Sequence, residues 1–191
     1  DPYQFYASAI LRLRSLEGLD AAPSPAWQGE AVHAILEAWH KAGGTPGALV
    51  EIATVVLDGM SAHPLTRSLW RPRLLAALGW IDERVSAQAG EGREVALSED
   101  WGNIEVKGVR IVAKADRIDR MPDGKLAIVD YKTGGAPSAR MVAEGYALQL
   151  GTIGLIAREG GFKGLRGEPE AFEYWSLARD QARRDEDGFG K

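Results

Sequence analysis

The stretch Val109–Gly134, VRIVAKADRIDRMPDGKLAIVDYKTG, reads as two β-strands joined by a tight turn. Val109, Ile111 and Ala113 alternate with Arg110, Val112 and Lys114, and Ile118 continues the apolar series. MPDG at Met121–Gly124 supplies Pro, Asp and Gly in the order a β-turn prefers. The return strand, Leu126–Tyr131, is apolar enough for the middle of a sheet. Asp116 falls on the first strand, and Asp130 and Lys132 at the end of the second. Residues two apart on a strand face the same way, so Asp130 and Lys132 share a face. A hairpin closed by this turn brings Asp116 close to Asp130, and two carboxylates and an ammonium then converge at the open end of the sheet.

Such a group suits one kind of chemistry. Carboxylates are hard oxygen ligands for Mg²⁺ or Mn²⁺. A metal held by two of them can polarise a phosphodiester and lower the pKa of a bound water, and a neighbouring lysine can orient that water and offset developing charge. The competing reading is a surface hairpin whose Asp and Lys form only a salt bridge. The apolar run LAIV just before Asp130 favours the first, because ionisable groups at the end of a buried strand usually have a task.

Around this hairpin the 191 residues allow one sizeable domain, at most two small ones. With 45% hydrophobic and 26% charged residues the composition is that of an ordinary globular protein. There is no cysteine, which excludes disulfides, thiolate zinc sites and an iron–sulfur cluster in this chain. No apolar run is long enough for a membrane helix and no signal peptide is visible. Nor is there a phosphate loop of the G-x-x-x-x-G-K-S/T type or a Ser or Cys nucleophile motif. The start at Asp1 rather than Met, directly in a helix pattern, is read as a segment of a longer protein.

Upstream of the hairpin the pattern is helical. Asp1–Leu16 reads as an amphipathic helix with Tyr3, Phe5, Tyr6, Ile10 and Leu13 on its apolar side. After a break at Glu17–Pro25, Ser24 and Pro25 offer an N-cap and first turn for a helix from about Ala26 to Ala42. Val32, Ile35, Leu36 and Trp39 point inward, Gly43 and Gly44 end it, and His33 sits one residue off the apolar face, where a lone histidine is more often a buried or capping residue than a ligand. Further helices are expected over Pro46–Ser61 and Leu65–Ala89, with Pro72 kinking the latter or marking its start. From Arg93 the period changes to two. Short strands are expected at Glu94–Trp101 and Asn103–Val106, around turns at Asp100–Gly102 and Lys107–Gly108. A helix over Ala139–Arg158, a strand over Ala171–Leu177 and a polar tail from Arg179 complete the chain.

This order predicts an α/β fold of α+β character, a central mixed sheet flanked by helices with an N-terminal helical segment. Residues 1–191 then form one domain, with a mainly helical part at 1–90, a core of sheet and helix at 91–178, and a tail at 179–191.

ADRIDR, IVDYKTG and GYALQL, in that order, resemble successive motifs of the PD-(D/E)XK nuclease superfamily in its RecB-like branch. The opening DPYQFYASAILRLRSL followed by QGEAVHAILEAW is similar to the C-terminal nuclease domain of AddB-type subunits of bacterial helicase–nucleases. The resemblance runs from Asp1 to about Leu177. It implies a restriction-endonuclease-like fold in which Asp116 and Asp130 hold the metal, Lys132 positions or activates the water, the carbonyl of Tyr131 is a further ligand, and His33 reaches the metal from its helix. Tyr146 and Gln149 match a Y-x-x-Q motif, whose work is to hydrogen-bond near the site or to DNA, or only to cap the hairpin. Asp119, three residues beyond Asp116, is read as structural.

Two departures stand out. Where many AddB-type domains carry four cysteines around a cluster, this chain has none, and Tyr3 and Phe5 are the candidates for packing in its place. Glycine often precedes the motif carboxylate in this branch, whereas here Ala113-Lys114-Ala115 lead into Asp116.

The resemblance implies a Mg-dependent (Mn possible) exonuclease acting on DNA, without an iron–sulfur cluster, in a bacterial cytoplasmic complex with an AddA-type subunit that processes double-strand breaks. The net charge of −4, with a pI near 5.5, gives no general attraction to DNA. Motor domains and the partner are therefore expected to deliver a single strand, and a local path of Lys114, Arg117, Arg120 and Arg140 to guide it. The alternatives are a stand-alone RecB-like exonuclease and, from another class, a non-catalytic module that keeps the fold to bind DNA or a partner. The intact set of Asp116, Asp130 and Lys132 speaks against the latter.

Overall fold

The computed structural model describes residues 2–13, 25–60 and 64–178. In chain order, α1 (Pro2–Phe5) runs into a π-helical turn (Tyr6–Ile10), followed by α2 (Pro25–Lys41), α3 (Leu49–Gly59) and α4 (Pro64–Gly90). Then come β1 (Glu94–Val106), β2 (Val109–Arg120), β3 (Leu126–Lys132), α5 (Ala139–Ala143), α6 (Gln149–Arg158) and β4 (Pro169–Ser176). The strands lie in that order in one sheet. The first three are antiparallel and β4 returns parallel to β3, so the sheet is mixed, as the sequence predicts. No helix among the described residues is long and apolar enough to cross a membrane.

Both hairpin turns follow from their residues. Gly124 adopts φ 84° and donates its N–H to the Met121 carbonyl at 2.8 Å, closing the MPDG turn. Lys107 and Gly108 both have positive φ, 50° and 77°, the combination a two-residue hairpin needs to match strand twist.

The expected turn at Asp100–Gly102 does not form, and β1 runs unbroken for 13 residues. Gly102 pairs with Ala113 in mid-ladder. A Cβ there would lie 2.5 Å from the Phe162 ring and 2.7 Å from Ile156, so this glycine permits a close approach rather than a turn.

The sheet separates two apolar cores. On one face Val129, Tyr131 and Trp175 meet α2, α3 and α4 through Val32, Ile35, Leu36, Trp39, Leu49, Leu78 and Ile81. The other face, with Ala115, Ile118, Leu126 and Ile128, meets Ile153 and Ile156 of α6 together with Phe162. The inward set expected for α2 is buried as predicted.

Three helices differ from expectation. The N-terminal helix ends at Ile10, and Tyr3, Phe5 and Tyr6 are exposed, so Tyr3 and Phe5 do not pack in place of a cluster. The proposed cap Ser24, the residues after Leu13 and the tail from Arg179 lie outside the described residues. α4 continues through Pro72. Burial of Leu74, Leu78, Trp80 and Ile81 outweighs the roughly 3 kcal/mol that a helix-interior proline costs. The helix expected over Ala139–Arg158 is two helices, broken where Gly145 takes φ 78°.

Candidate active site

The turns determine which residues meet. The pairs Arg117↔Val129 and Ile118↔Ile128 bring Asp116 level with Asp130, and Asp116 Oδ2 accepts the backbone N–H of Tyr131 at 2.9 Å. The two-residue turn at Lys107–Gly108 sets β1 against β2 so that Glu99 falls opposite Asp116, between the pairs Ser98↔Arg117 and Asp100↔Ala115. Glu99 has φ 50°, a left-handed conformation that costs a non-glycine residue on the order of 1 kcal/mol or more and that clusters at functional sites. From α2, His33 Nδ1 reaches 2.9 Å from Glu99 Oε1 and 3.7 Å from Asp116 Oδ1. His33, Glu99 and Asp116 thus offer ligand atoms all within 4.8 Å of one another.

Asp130 and Lys132 share a face as expected. Lys132 Nζ stands 2.7 Å from Asp130 Oδ2 and donates to Gln149 Oε1 at 2.9 Å. It also lies 5.6 Å over the ring of Tyr174. The site therefore straddles the end of the sheet, with His33 from the helix layer on one side and Gln149 from α6 on the other.

Burial pushes the Asp116 carboxyl up to about 6; His33 and the Tyr131 N–H oppose the shift, while Asp130 and Glu99 add to it. The hydrogen bond to Glu99 raises His33, partly offset by its burial, with further help from Asp116. Burial would raise Glu99, but its hydrogen bonds to His33 and Lys114 hold it below the usual range. Lys114 Nζ, 2.7 Å from Glu99 Oε2, is raised by the same contact.

Among the described residues, two buried oxygens, Glu99 Oε2 and Asp130 Oδ2, have no partner beyond one ammonium 2.7 Å away, that of Lys114 and of Lys132 respectively. Buried carboxylate oxygens with spare lone pairs beside an imidazole form a hard donor set that fits Mg²⁺ or Mn²⁺.

Glu99 escaped the sequence reading although its signal was present: the turn at Lys107–Gly108 places it across from Asp116 once β1 is taken as continuous. The trio within ligand distance is His33, Glu99 and Asp116, whereas Asp130 is engaged with Lys132.

Arg117 is corrected outright. It is 1% exposed, donates to Asp119 through Nε and Nη2 at 2.6 and 2.5 Å, and reaches the Tyr131 hydroxyl and Gln88. A side chain so enclosed does not meet DNA. Asp119, fully buried between Arg93 and Arg117, is structural as read. Lys114 borders the site, Arg120 donates to the Gly124 carbonyl, and Arg140 is exposed and paired with Glu144 on its own short helix. Tyr146 is exposed in the break between α5 and α6, off the helix that carries Gln149. Of Tyr146 and Gln149, it is Gln149 that touches the candidate site, through Lys132.

A mixed sheet whose central hairpin ends in Asp116, Asp130 and Lys132, flanked by helices, is the arrangement of restriction-endonuclease-like nucleases. The model of the PD-(D/E)XK nuclease superfamily matches residues 2–189, and the chain belongs to that superfamily. It is also similar to uncharacterized proteins of Rickettsia felis (28% identical over 175 residues) and Rickettsia bellii (27% over 173 residues), with 85% of this chain covered in both cases. The chain spans about a fifth of the length of these relatives, 20% and 21%.

Proposed function

We propose that this chain is the metal-dependent DNA nuclease domain of a helicase–nuclease of the AddB-like kind, a phosphodiester hydrolase of exonuclease character acting in double-strand break processing. The observation that carries the reading is the convergence of His33, Glu99 and Asp116 beside Asp130 and Lys132 at one sheet end. The relatives, roughly five times as long, have room for the motor regions this reading requires. An AddA-type partner and a bacterial cytoplasmic setting belong to the same proposal.

His33, Glu99 and Asp116, with Asp130 and the Tyr131 carbonyl adjoining, would hold the Mg²⁺ or Mn²⁺. The metal, once bound, supplies polarisation of the phosphodiester and a more acidic water. Asp130 and Gln149 hold Lys132 at the partly exposed edge of the site, where its ammonium would face the attacked phosphate and offset its growing negative charge. The Tyr131 N–H fixes the Asp116 carboxylate, so one of its oxygens is left to turn toward the cleft. The acidic chain needs delivery of its strand, so the isolated domain should bind DNA weakly at physiological salt.

The test is hydrolysis of single-stranded and duplex DNA at low salt with Mg²⁺ or Mn²⁺, beside Asp130→Ala and Lys132→Ala. Metal-dependent cleavage lost in both variants supports the reading. Calorimetric titration showing no Mn²⁺ binding, together with no cleavage, would replace it with a non-catalytic module.

A further inference from the structure

The nuclease reading leaves one feature beside the site unused. β2 pairs with β3 only over Arg117–Arg120, so β1 and β2 continue beyond the active site as a two-stranded ribbon. One face of that ribbon is covered: Ile104, Ile111 and Ala113 pack on the α6 core, and Gly102 lies under Phe162. The other face carries Trp101, Asn103 and Glu105 directly opposite Lys114, Val112 and Arg110. Trp101 is 63% exposed and Val112 48%.

We infer that this face is a track for single-stranded nucleic acid, with Trp101 as the stacking platform for the base next to the attacked phosphate. Trp101 sits two residues from Glu99, about 7 Å along the strand. Its cross-strand neighbour Lys114 pairs with Glu99 itself, so the platform and the metal cluster are joined rung to rung. A strand whose phosphate rests at the cluster therefore passes its neighbouring base over the indole.

The composition of the face selects the occupant. An apolar helix or a second copy of this chain would need a continuous apolar stripe, but Asn103, Glu105, Arg110 and Lys114 surround Trp101 and Val112. An isolated indole opposite Lys114, with Arg110 further along the same face, suits unpaired bases, whose π-faces stack without sequence preference. Duplex DNA has no free base face to offer. The inference rests on the nuclease reading for its polarity but is measured without cleavage.

The probe is a short oligothymidylate carrying one 2-aminopurine near its end, with Ca²⁺ in place of Mg²⁺ at low salt. Binding should quench 2-aminopurine in the parent and in Trp101→Phe, and not in Trp101→Ala. The affinity of Trp101→Ala should fall roughly tenfold, in the range expected for loss of one stacked base. The exposed position makes both variants foldable, with circular dichroism as the check. Unchanged quenching and affinity in Trp101→Ala, or no quenching in the parent, overturns the track. So does a shift of Trp101→Ala from dimer to monomer with DNA binding intact, which would mark an interface between copies. A parent that quenches through Trp101 yet binds no Mn²⁺ and cleaves with no metal would instead remove the nuclease reading and leave the track standing.

Discussion

Glu99 Oε1 lies 2.9 Å from His33 Nδ1, joining the middle of β1 to α2 across 66 residues of chain. The contact holds a glutamate in left-handed backbone, and its second oxygen pairs with Lys114 Nζ at 2.7 Å. A strand residue in this conformation is costly to keep unless something it holds repays the strain.

Glu99→Gln preserves the size of the side chain and removes its charge. Mn²⁺ affinity, measured by calorimetry, should fall about 10- to 100-fold, the range for losing a ligand's supporting or ligating partner. His33 should also lose the pKa rise that Glu99 gives it, visible by NMR titration of the imidazole.

Metal binding should strengthen as pH rises through about 6, because the Asp116 carboxyl must give up its proton and His33 must be neutral to ligate. The same raised carboxyl weakens the metal-free fold. Stability from the protonated form is fully present below pH 3.8 and is lost as pH rises through about 6, where the folded form also ionises. Asp116→Asn should therefore raise the melting temperature of the metal-free protein at pH 7, by an amount on the order of 1–3 kcal/mol in stability, while abolishing cleavage. A lower melting temperature would show that the Tyr131 contact needs the charge.

Arg117→Ala should destabilise the fold by about 3 kcal/mol or more, since it strips Asp119 of one partner inside the core and leaves the Tyr131 hydroxyl unpaired. Denaturant titration measures this. Among variants that remain folded, Arg117→Met should bind oligonucleotide as the parent does, which a DNA-contacting arginine would not allow.

His40 offers a separate pH effect away from the cluster. Burial, with Arg117 nearby, pushes it down from 6.5 to about 4, and its Nε2 has no hydrogen-bond partner among the described residues. The unfolded chain binds this proton first, so the contribution to stability is full above pH 6.5 and declines as pH falls toward 4, by up to about 3 kcal/mol. His40→Gln should flatten melting temperature against pH over that window. An unchanged slope would place the acid sensitivity elsewhere.

The hairpin, its turns, the inward face of α2 and the meeting of Asp116, Asp130 and Lys132 were legible in the residues, because each depends on local turn chemistry and a period of two or 3.6. Glu99 was hidden by one glycine: Gly102 carries the composition of a turn but sits where two aromatic and aliphatic side chains leave no room for a Cβ. Arg117 looked available because it is a cation next in sequence to the motif carboxylate Asp116. Its enclosure comes from Gln88 on α4, Asp119 and Tyr131, none of which its own local pattern announces.

The sequence by itself determined the mixed sheet, the two strands that carry the carboxylates and the lysine, and the superfamily motifs, since short-range periodicity and turns set strand direction and face. Only the tertiary structure decided which charges are buried partners and which face the cleft. Burial depends on what packs from other layers: α2 brings His33 to Glu99, α4 closes over Arg117, and α6 holds Lys132 through Gln149. Those contacts join residues far apart in the chain, and no local pattern encodes them.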